Sequence, residues 1–236
     1  MIEGPKLLDE ALDAGAAVEA VYLAAGASQE AAQRAFAAGI RVFELDTGVI
    51  ERVADTTTPQ PVMAVVGCVD VTLSALGGAD LLVVGVDIRD PGNAGTVLRS
   101  AEAAGAGGVI FCDGSVDVFN PKTVRASAGS LFHVPVVAGG NPVEVLAEMA
   151  SWGMQRLATT ASGGSDYTEV DLTRPLAFVL GNEAKGLPPA VAGLVDEDVT
   201  IPMAGRTESL NVGMAAAVVC FEAARQRRRR LARAGS

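Results

Sequence analysis

The sequence predicts an α/β protein in which a parallel-sheet domain follows a smaller α/β unit. The first observation is the continuous apolar run at 81–86, which is typical of a strand buried on both faces of a parallel sheet. The second is that similar runs recur along the chain, some of them separated by segments with helical spacing. A third is the change at 67–80, a thinly hydrophobic stretch containing Gly77 and Gly78, which predicts a linker.

Residues 1–66 are expected to form the smaller unit. Leu7 and Leu8 begin a helical pattern that Gly15 ends, and Ser28 is suited to cap a second helix. The expected elements, in chain order, are a helix over 7–14, a strand over 18–23, a helix over 28–38, and strands over 41–45 and 61–66.

Residues 81–236 are expected to form the larger domain. Its expected strands lie at 81–86, 108–112, 134–137, 155–160, 176–180 and 199–202. Its expected helices lie at 94–104, at 120–130, where Pro121 suits a first turn, and from Asn211 into the C-terminal arginines. Strands that alternate with helices indicate a parallel sheet covered by helices.

The charge distribution is uneven. The 236 residues carry a net charge of −10, which argues against a polyanionic partner. Six arginines nevertheless fall within the last twelve residues, and the chain without them has a net charge of −16. Such a segment is either a solvated helix end, favoured by the helix dipole, or a surface that contacts phosphates. These arginines are Arg225, Arg227, Arg228, Arg229, Arg230 and Arg233.

Cysteine and histidine usage excludes several classes of protein. The three cysteines form no CxxC pair and no disulfide framework, so we expect a reducing, cytoplasmic location. One histidine, His133, is too few for a His-rich metal site, and no metal is expected. The chain shows no signal peptide and no apolar run of about 18 residues, so no contact with a membrane is expected.

Three loops that follow predicted strands are rich in polar residues and glycine, at 87–99, 181–187 and 201–213. Ligands of parallel sheets bind at such carboxyl-terminal loops. Each polar residue also has an ordinary explanation: Asn93 as a helix cap, Arg99 as a surface residue, Asn211 as a helix start. No dinucleotide fingerprint, phosphate loop or hydrolase nucleophile elbow is present.

Taken together, the three loops resemble the SpoU/TrmH branch of the SPOUT RNA 2′-O-ribose methyltransferases. The similarity lies in Asn93-x-Gly95-x-x-x-Arg99, in Gly181-Asn182-Glu183-x-x-Gly186, and in Ile201-Pro202-Met203-x-Gly205 followed by Ser209-Leu210-Asn211. It covers about residues 80–226, and residues 1–66 more weakly resemble the ribosomal-protein-like substrate-binding domain of that branch. One departure is Gly213, where many relatives carry serine or alanine.

The resemblance implies a catalytic domain with a C-terminal trefoil knot, a homodimer, and S-adenosylmethionine as cofactor. By analogy the cofactor-binding residues are Leu180, Gly181, Gly186, Ile201, Met203, Ser209 and Leu210. The catalytic residues implied are Asn93, Arg99, Glu183, Ser209 and Asn211. Arginine has no hydrogen-bond acceptor, so we expect Arg99 to grip a phosphate and stabilise a forming alkoxide rather than to accept a proton.

The expected function is 2′-O-methylation of structured RNA, with ribosomal RNA favoured over transfer RNA because a recognition domain precedes the catalytic one. Two alternatives stay open: a non-catalytic RNA-binding or ribosome-assembly module, and a small-molecule enzyme with a nucleotide cofactor. An apolar stripe on the last helix is either a subunit interface or a face packed on the chain's own sheet. Its members are Val212, Ala215, Ala216, Val219, Cys220 and Ala223.

Overall fold

The computed structural model describes residues 1–54 and 56–234. Asp55, in the predicted N-terminal unit, and Gly235 and Ser236, at the end of the predicted C-terminal domain, lie outside the described residues. The described residues form two sheets, one of four strands and one of seven, which confirms the mixed α/β class.

The N-terminal sheet has the strand order β1-β4-β2-β3. Strand β4 is antiparallel to β1 and to β2, whereas β2 and β3 are parallel. Its strands are β1 Ile2–Glu3, β2 Val18–Leu23, β3 Arg41–Glu44 and β4 Val62–Val66, and its helices are α1 Pro5–Asp13, α2 Gln29–Ala37 and α3 Ile50–Val53. The Ser28 hydroxyl accepts a hydrogen bond from the Ala31 N–H at 3.3 Å, which confirms the predicted cap of α2.

The second sheet is parallel throughout, in the order β7-β6-β5-β10-β8-β11-β9. Its strands are β5 Leu81–Gly85, β6 Gly108–Phe111, β7 Val136–Ala138, β8 Gln155–Thr160, β9 Ser165–Asp166, β10 Leu176–Leu180 and β11 Glu197–Thr200. Its helices are α4 Pro91–Ala103, α5 Pro121–Ser127, α6 Pro142–Ser151, α7 Pro189–Ala192 and α8 Val212–Ala234. Every residue of β5 and β10 is buried, which confirms the prediction that the run beginning at Leu81 is a buried strand.

Helices cover both faces of this sheet. Leu81 and Val83 pack into the cluster that contains residues of α4, α5 and α8, whereas Leu82 and Val84 pack with residues of α6 and α7. The alternation follows from the two-residue period of a strand. The helices cover the faces of the sheet and not the carboxyl ends of its strands, where the polar loops lie.

Helix α6 is absent from the elements expected from the sequence, although its signals are present. The Asn141 side chain accepts a hydrogen bond from the Val143 N–H at 2.9 Å, and Pro142 begins the helix. The predicted helix over 120–130 ends early, at Ser127, because Ala128 and Gly129 adopt positive φ angles of 51° and 102°. The expected strand over 134–137 begins only at Val136.

The apolar stripe predicted on the last helix faces inward. Ala216, Val219, Cys220 and Ala223 are completely buried, and α8 packs along α4 of the same chain. These residues therefore belong to the chain's own core, and the interpretation of the stripe as a subunit interface was wrong. Met214 and Phe221 point outward instead, with 60% and 46% of their surface exposed.

Burial also determines the state of two cysteines. Desolvation raises the pKa of the Cys112 and Cys220 thiols to about 12, so both stay protonated near neutral pH. Cys68 is exposed. Over residues 1–54 and 56–234, no helix is both long and apolar enough to cross a bilayer.

Candidate active site

A cavity of about 450 Å³ lies at the carboxyl ends of β8, β10 and β11. This is the edge where ligands of parallel sheets bind. The loops after β10 and β11 form much of its wall. Its lining residues include Thr159, Thr160, Gly181, Glu183, Gly186, Leu187, Asp198, Ile201, Met203, Ser209, Leu210 and Val212.

The loop after β10 is folded tightly by its own backbone. The Gly186 N–H donates to the Asn182 carbonyl oxygen at 2.8 Å, and Gly186 has a φ of +66° that favours glycine. A Cβ on Gly181 would lie only 2.6 Å from the Gly186 carbonyl carbon and 2.8 Å from the Leu187 nitrogen. Position 181 must therefore be glycine for the loop to close over the cavity.

Asn182 anchors this loop to the rest of the site. Its Nδ2 donates to the carbonyl oxygen of Asp87 at 3.0 Å, in the loop after β5. Its Oδ1 accepts from the N–H groups of Ala184 at 3.0 Å and Lys185 at 3.2 Å. Asn182 belongs to the second motif, but sequence reasoning assigned it no role, because an asparagine in a polar loop does not indicate its partners.

The loop after β11 offers main-chain groups to the cavity. Within the described part of the chain, no hydrogen bond involves the backbone N–H or C=O of residues 203–210. Residues 204–209 are exposed, so their backbone groups are open to solvent or to a ligand, and Met203, Ser209 and Leu210 of this segment line the cavity. Ile201, Met203 and Leu210 add apolar surface to the same wall.

Three polar side chains, one on α4 and two in the loops after β10 and β11, form one network. Asn211 Nδ2 donates to Asn93 Oδ1 at 2.7 Å, and Asn93 Nδ2 donates to Glu183 Oε1. Asn211 also caps α8, because its Oδ1 accepts from the Gly213 N–H at 2.9 Å. Asp90, and not Asn93, caps α4 by accepting from the Asn93 N–H at 2.8 Å, so the interpretation of Asn93 as a mere cap was wrong.

The other residues expected in the site divide into three groups. Gly181, Gly186, Ile201, Met203, Ser209, Leu210 and Glu183 line the cavity, whereas Asn93 and Asn211 adjoin it through the network. Leu180 does not line it: the residue is fully buried at the end of β10, and its carbonyl oxygen accepts from the Val86 N–H at 2.9 Å. Sequence reasoning missed Thr159, Thr160 and Asp198, whose signal is their position at or near strand ends.

Arg99 lies away from the cavity. It is exposed on α4 and lines a separate groove between the N-terminal unit and the larger domain, together with Lys6, Glu10 and His133. At this groove His133 Nε2 and Glu10 Oε2 are 2.8 Å apart, which ties α1 to the segment after α5. Arg99 makes no hydrogen bond or ion pair with the described residues.

Close helix contacts hold the network in place. A Cβ on Gly95 would lie 2.4 Å from the Ala126 Cβ, so glycine is what lets α4 approach α5. A Cβ on Gly213 would lie 2.8 Å from the Thr96 Cβ, where α8 begins beside α4. The departure from the motif at Gly213 therefore has a steric reason in this chain.

Comparison with known proteins gives matches along almost the whole chain. Residues 80–221 match the sequence model of the SpoU rRNA Methylase family, and residues 1–64 match that of the MRM3-like substrate binding domain. A similar curated relative is the 23S rRNA (guanosine(2553)-2′-O)-methyltransferase RlmP of Bacillus subtilis. It is 33% identical over 221 residues, which are 94% of this chain and 86% of the relative.

Solved structures show the same likeness. The SpoU methyltransferase AviRb from Streptomyces viridochromogenes, in complex with AdoMet, superposes with a TM-score of 0.86 at 30% identity, covering 97% of this chain and 90% of AviRb. An AdoMet-bound rRNA methyltransferase from Sinorhizobium meliloti superposes with a TM-score of 0.81 at 32% identity, covering 94% and 85%. Both likenesses extend over the two sheets.

Replacing Gly213 with alanine tests the contact between α4 and α8. We expect Gly213→Ala to lower the free energy of unfolding by about 1–3 kcal/mol, because the added methyl group overlaps the Thr96 Cβ. Chemical denaturation measures the change. Gly78→Ala is the control, since nothing lies within 4 Å of its Cβ, and its change should stay within about 0.5 kcal/mol. Equal stabilities for the two variants would contradict the steric argument.

Proposed function

The chain belongs to the SpoU rRNA methylase family, and on this premise we propose that it methylates a ribose 2′-hydroxyl of ribosomal RNA with S-adenosylmethionine. The observation that carries the proposal is the meeting of the three motif loops at one cavity, with Glu183 held by Asn93 beside it. Ribosomal rather than transfer RNA is favoured by the name of the Bacillus subtilis relative, and we expect the enzyme to act in the cytoplasm, where bacterial ribosomal RNA is found.

The cavity suits S-adenosylmethionine. Its volume of about 450 Å³ lies within the range of small-molecule sites. Glycines and unpaired main-chain groups suit close contact with a flat heterocycle, and the apolar side chains of Ile201 and Leu210 suit its faces. When bound, the cofactor supplies a methyl group on a positively charged sulfur, and the Glu183 carboxylate at the wall favours a cation.

The side chains around the cavity would position the reacting groups. Asn211 and Asn93 orient the Glu183 carboxylate through successive amide hydrogen bonds, and the Ser209 hydroxyl at the wall is free to contact the ribose. No histidine lies among the lining residues, and the buried Cys112 and Cys220 thiols stay protonated. We therefore assign alignment of the hydroxyl, rather than a strong general base, as the main contribution of these residues.

Arg99 is the residue we assign to the phosphate beside the reacting ribose. Its guanidinium has no partner in the described chain and lies in the groove between the two units, where RNA held by the N-terminal unit would pass. A planar guanidinium grips phosphate with two hydrogen bonds and stabilises negative charge that develops next to it.

The domain organisation follows from the same proposal. We assign residues 1–66 to RNA recognition, 67–80 to a linker and 81–236 to methyl transfer, in line with the two family matches. We also propose the C-terminal trefoil knot and the homodimer of this family. The exposed Met214 and Phe221, seven residues apart and hence on one face of α8, support a subunit interface there.

Cofactor binding and methyl transfer test the proposed activity. We expect the protein to bind S-adenosylmethionine in calorimetry and to transfer its labelled methyl group to protein-free 23S rRNA. Gly181→Ala should lower cofactor affinity at least tenfold, because its Cβ collides with Gly186 in the cavity wall. Gly78→Ala, an exposed glycine with open space around it, should bind as the parent does. Absence of binding at millimolar cofactor would refute methyl transfer.

Replacing Arg99 separates chemistry from cofactor binding. We expect Arg99→Ala to lower single-turnover methyl transfer about 100-fold or more, comparable to the loss of one preorganised donor. Cofactor affinity should be retained, because Arg99 does not line the cavity. Arg99→Lys should also be poor, since a point charge lacks the bidentate geometry. The control is Arg174→Ala, which removes a surface arginine paired with Asp171. Near-normal transfer by Arg99→Ala would remove this residue from the mechanism.

Sedimentation tests the subunit interface. We expect a dimer at micromolar concentration, and we expect Phe221→Asp to shift it towards monomer, because a carboxylate at an apolar interface loses its hydration. Phe36→Asp changes an even more exposed phenylalanine, 66% against 46%, on the N-terminal unit and should leave the dimer intact. A monomeric parent protein would overturn the assignment.

A further inference from the structure

Helix α8 ends in a basic surface that the proposed methyl transfer does not use. A groove of about 400 Å³ runs along its last turns, and we name it the arginine groove. Its lining residues are Thr173, Arg225, Gln226, Arg229, Arg230 and Arg233. The match to the family model ends at residue 221, so the arginines of this groove lie beyond the matched part of the chain.

Three of the six C-terminal arginines serve the fold. Arg227 donates to the carbonyl oxygens of Leu172, Asp80 and Arg174 at 3.0, 2.8 and 2.8 Å, which fastens α8 to the segments before β10 and β5. Arg225 Nε donates to Glu222 Oε2 at 2.7 Å. Arg230 Nη1 donates to the Thr173 carbonyl oxygen at 3.2 Å.

The other three arginines have no such role. Arg228, Arg229 and Arg233 are exposed, and none makes a hydrogen bond or ion pair with the described residues. Glu222, the acidic group that faces Arg229, is already bonded to Arg225 and Gln226. Among residues 1–54 and 56–234, these three guanidinium groups at one end of α8 therefore have no hydrogen-bond or ion-pair partner.

Repulsion between these arginines favours the binding of an anion there. Arg225, Arg229 and Arg233 follow one another at four-residue spacing, where like charges on a helix repel. The helix dipole favours cations only in the last turn and by a fraction of a kcal/mol to about 1 kcal/mol. Elsewhere the chain is strongly acidic, with a net charge of −16 without these six residues, so a polyanion meets its main attraction here.

We propose that the arginine groove binds the phosphate backbone of the substrate RNA, as a contact site separate from the cavity; this rests on the proposed function. Val212 and Ala215, at the start of α8, line the cavity, whereas Arg229 lies 17 residues after Val212, about 25 Å along the helix axis. The groove thus holds RNA that flanks the reacting nucleotide. Guanidinium groups aimed at phosphates give affinity without sequence selectivity.

A charge-removing variant and a charge-retaining variant of the full chain test this proposal. Arg228, Arg229 and Arg233 are changed together, to glutamine in one protein and to lysine in the other. The Kd for protein-free 23S rRNA transcribed in vitro is measured from 50 to 200 mM salt, together with the KM for the same RNA. Affinity for S-adenosylmethionine without RNA reports whether the fold is intact, because the cavity lies at the opposite end of α8.

We expect the glutamine variant to raise the Kd for RNA at least tenfold at about 100 mM salt. The dependence of log affinity on log salt should become shallower by about 2, as expected for the loss of up to three phosphate contacts. The KM for RNA should rise in parallel, and the lysine variant should stay within about threefold of the parent in Kd.

The outcomes distinguish this proposal from the proposed function. Methyl transfer by the parent protein with unchanged RNA affinity and salt dependence in the glutamine variant overturns the groove alone. If the parent protein transfers no methyl group but its RNA binding depends on the three arginines, the proposed function is overturned and RNA binding by the arginine groove is supported. A parent protein that does not bind 23S rRNA overturns both.

Discussion

The site depends on two side-chain hydrogen bonds, from Asn211 to Asn93 and from Asn93 to Glu183. They join residues that lie 118 and 90 positions apart in sequence, so they connect the three motifs directly. A carboxamide suits the middle position because it accepts with its oxygen and donates with its nitrogen. An aspartate at position 93 would place its carboxylate next to that of Glu183, and Glu183 would lose the hydrogen bond that Asn93 donates.

The helices that carry these side chains pack against one another at glycines. Gly95 permits contact between α4 and α5, and Gly213 permits contact between α4 and the start of α8. Gly213 lies two residues after Asn211, so the close contact that it permits between α8 and α4 brings Asn211 within hydrogen-bond distance of Asn93. The packing of the helices and the geometry of the hydrogen bond between the two asparagines therefore constrain each other. This explains why these short motifs combine glycine with asparagine.

The sequence predicted those features of the fold that depend on the local pattern of residues. Buried strands such as β5 and β10 can be predicted from their continuous apolar runs. The polar segments that follow these runs can then be predicted as loops. What depends on distant partners was not predictable. The inward stripe of α8 looks the same whether it meets α4 or another subunit, Asn182 gives no sign that it bonds to Asp87, and Arg99 gives no sign that it lies in the groove beside His133.

Part of the cavity wall is main chain, because Gly181 and Gly186 line it and have no side chain. Main-chain atoms are the same in every amino acid, so substitution changes them only by distorting the loop. If an inhibitor formed hydrogen bonds with these main-chain groups, few single substitutions in the enzyme would abolish its binding. At Gly181, for example, even one added carbon collides with the opposite side of the loop.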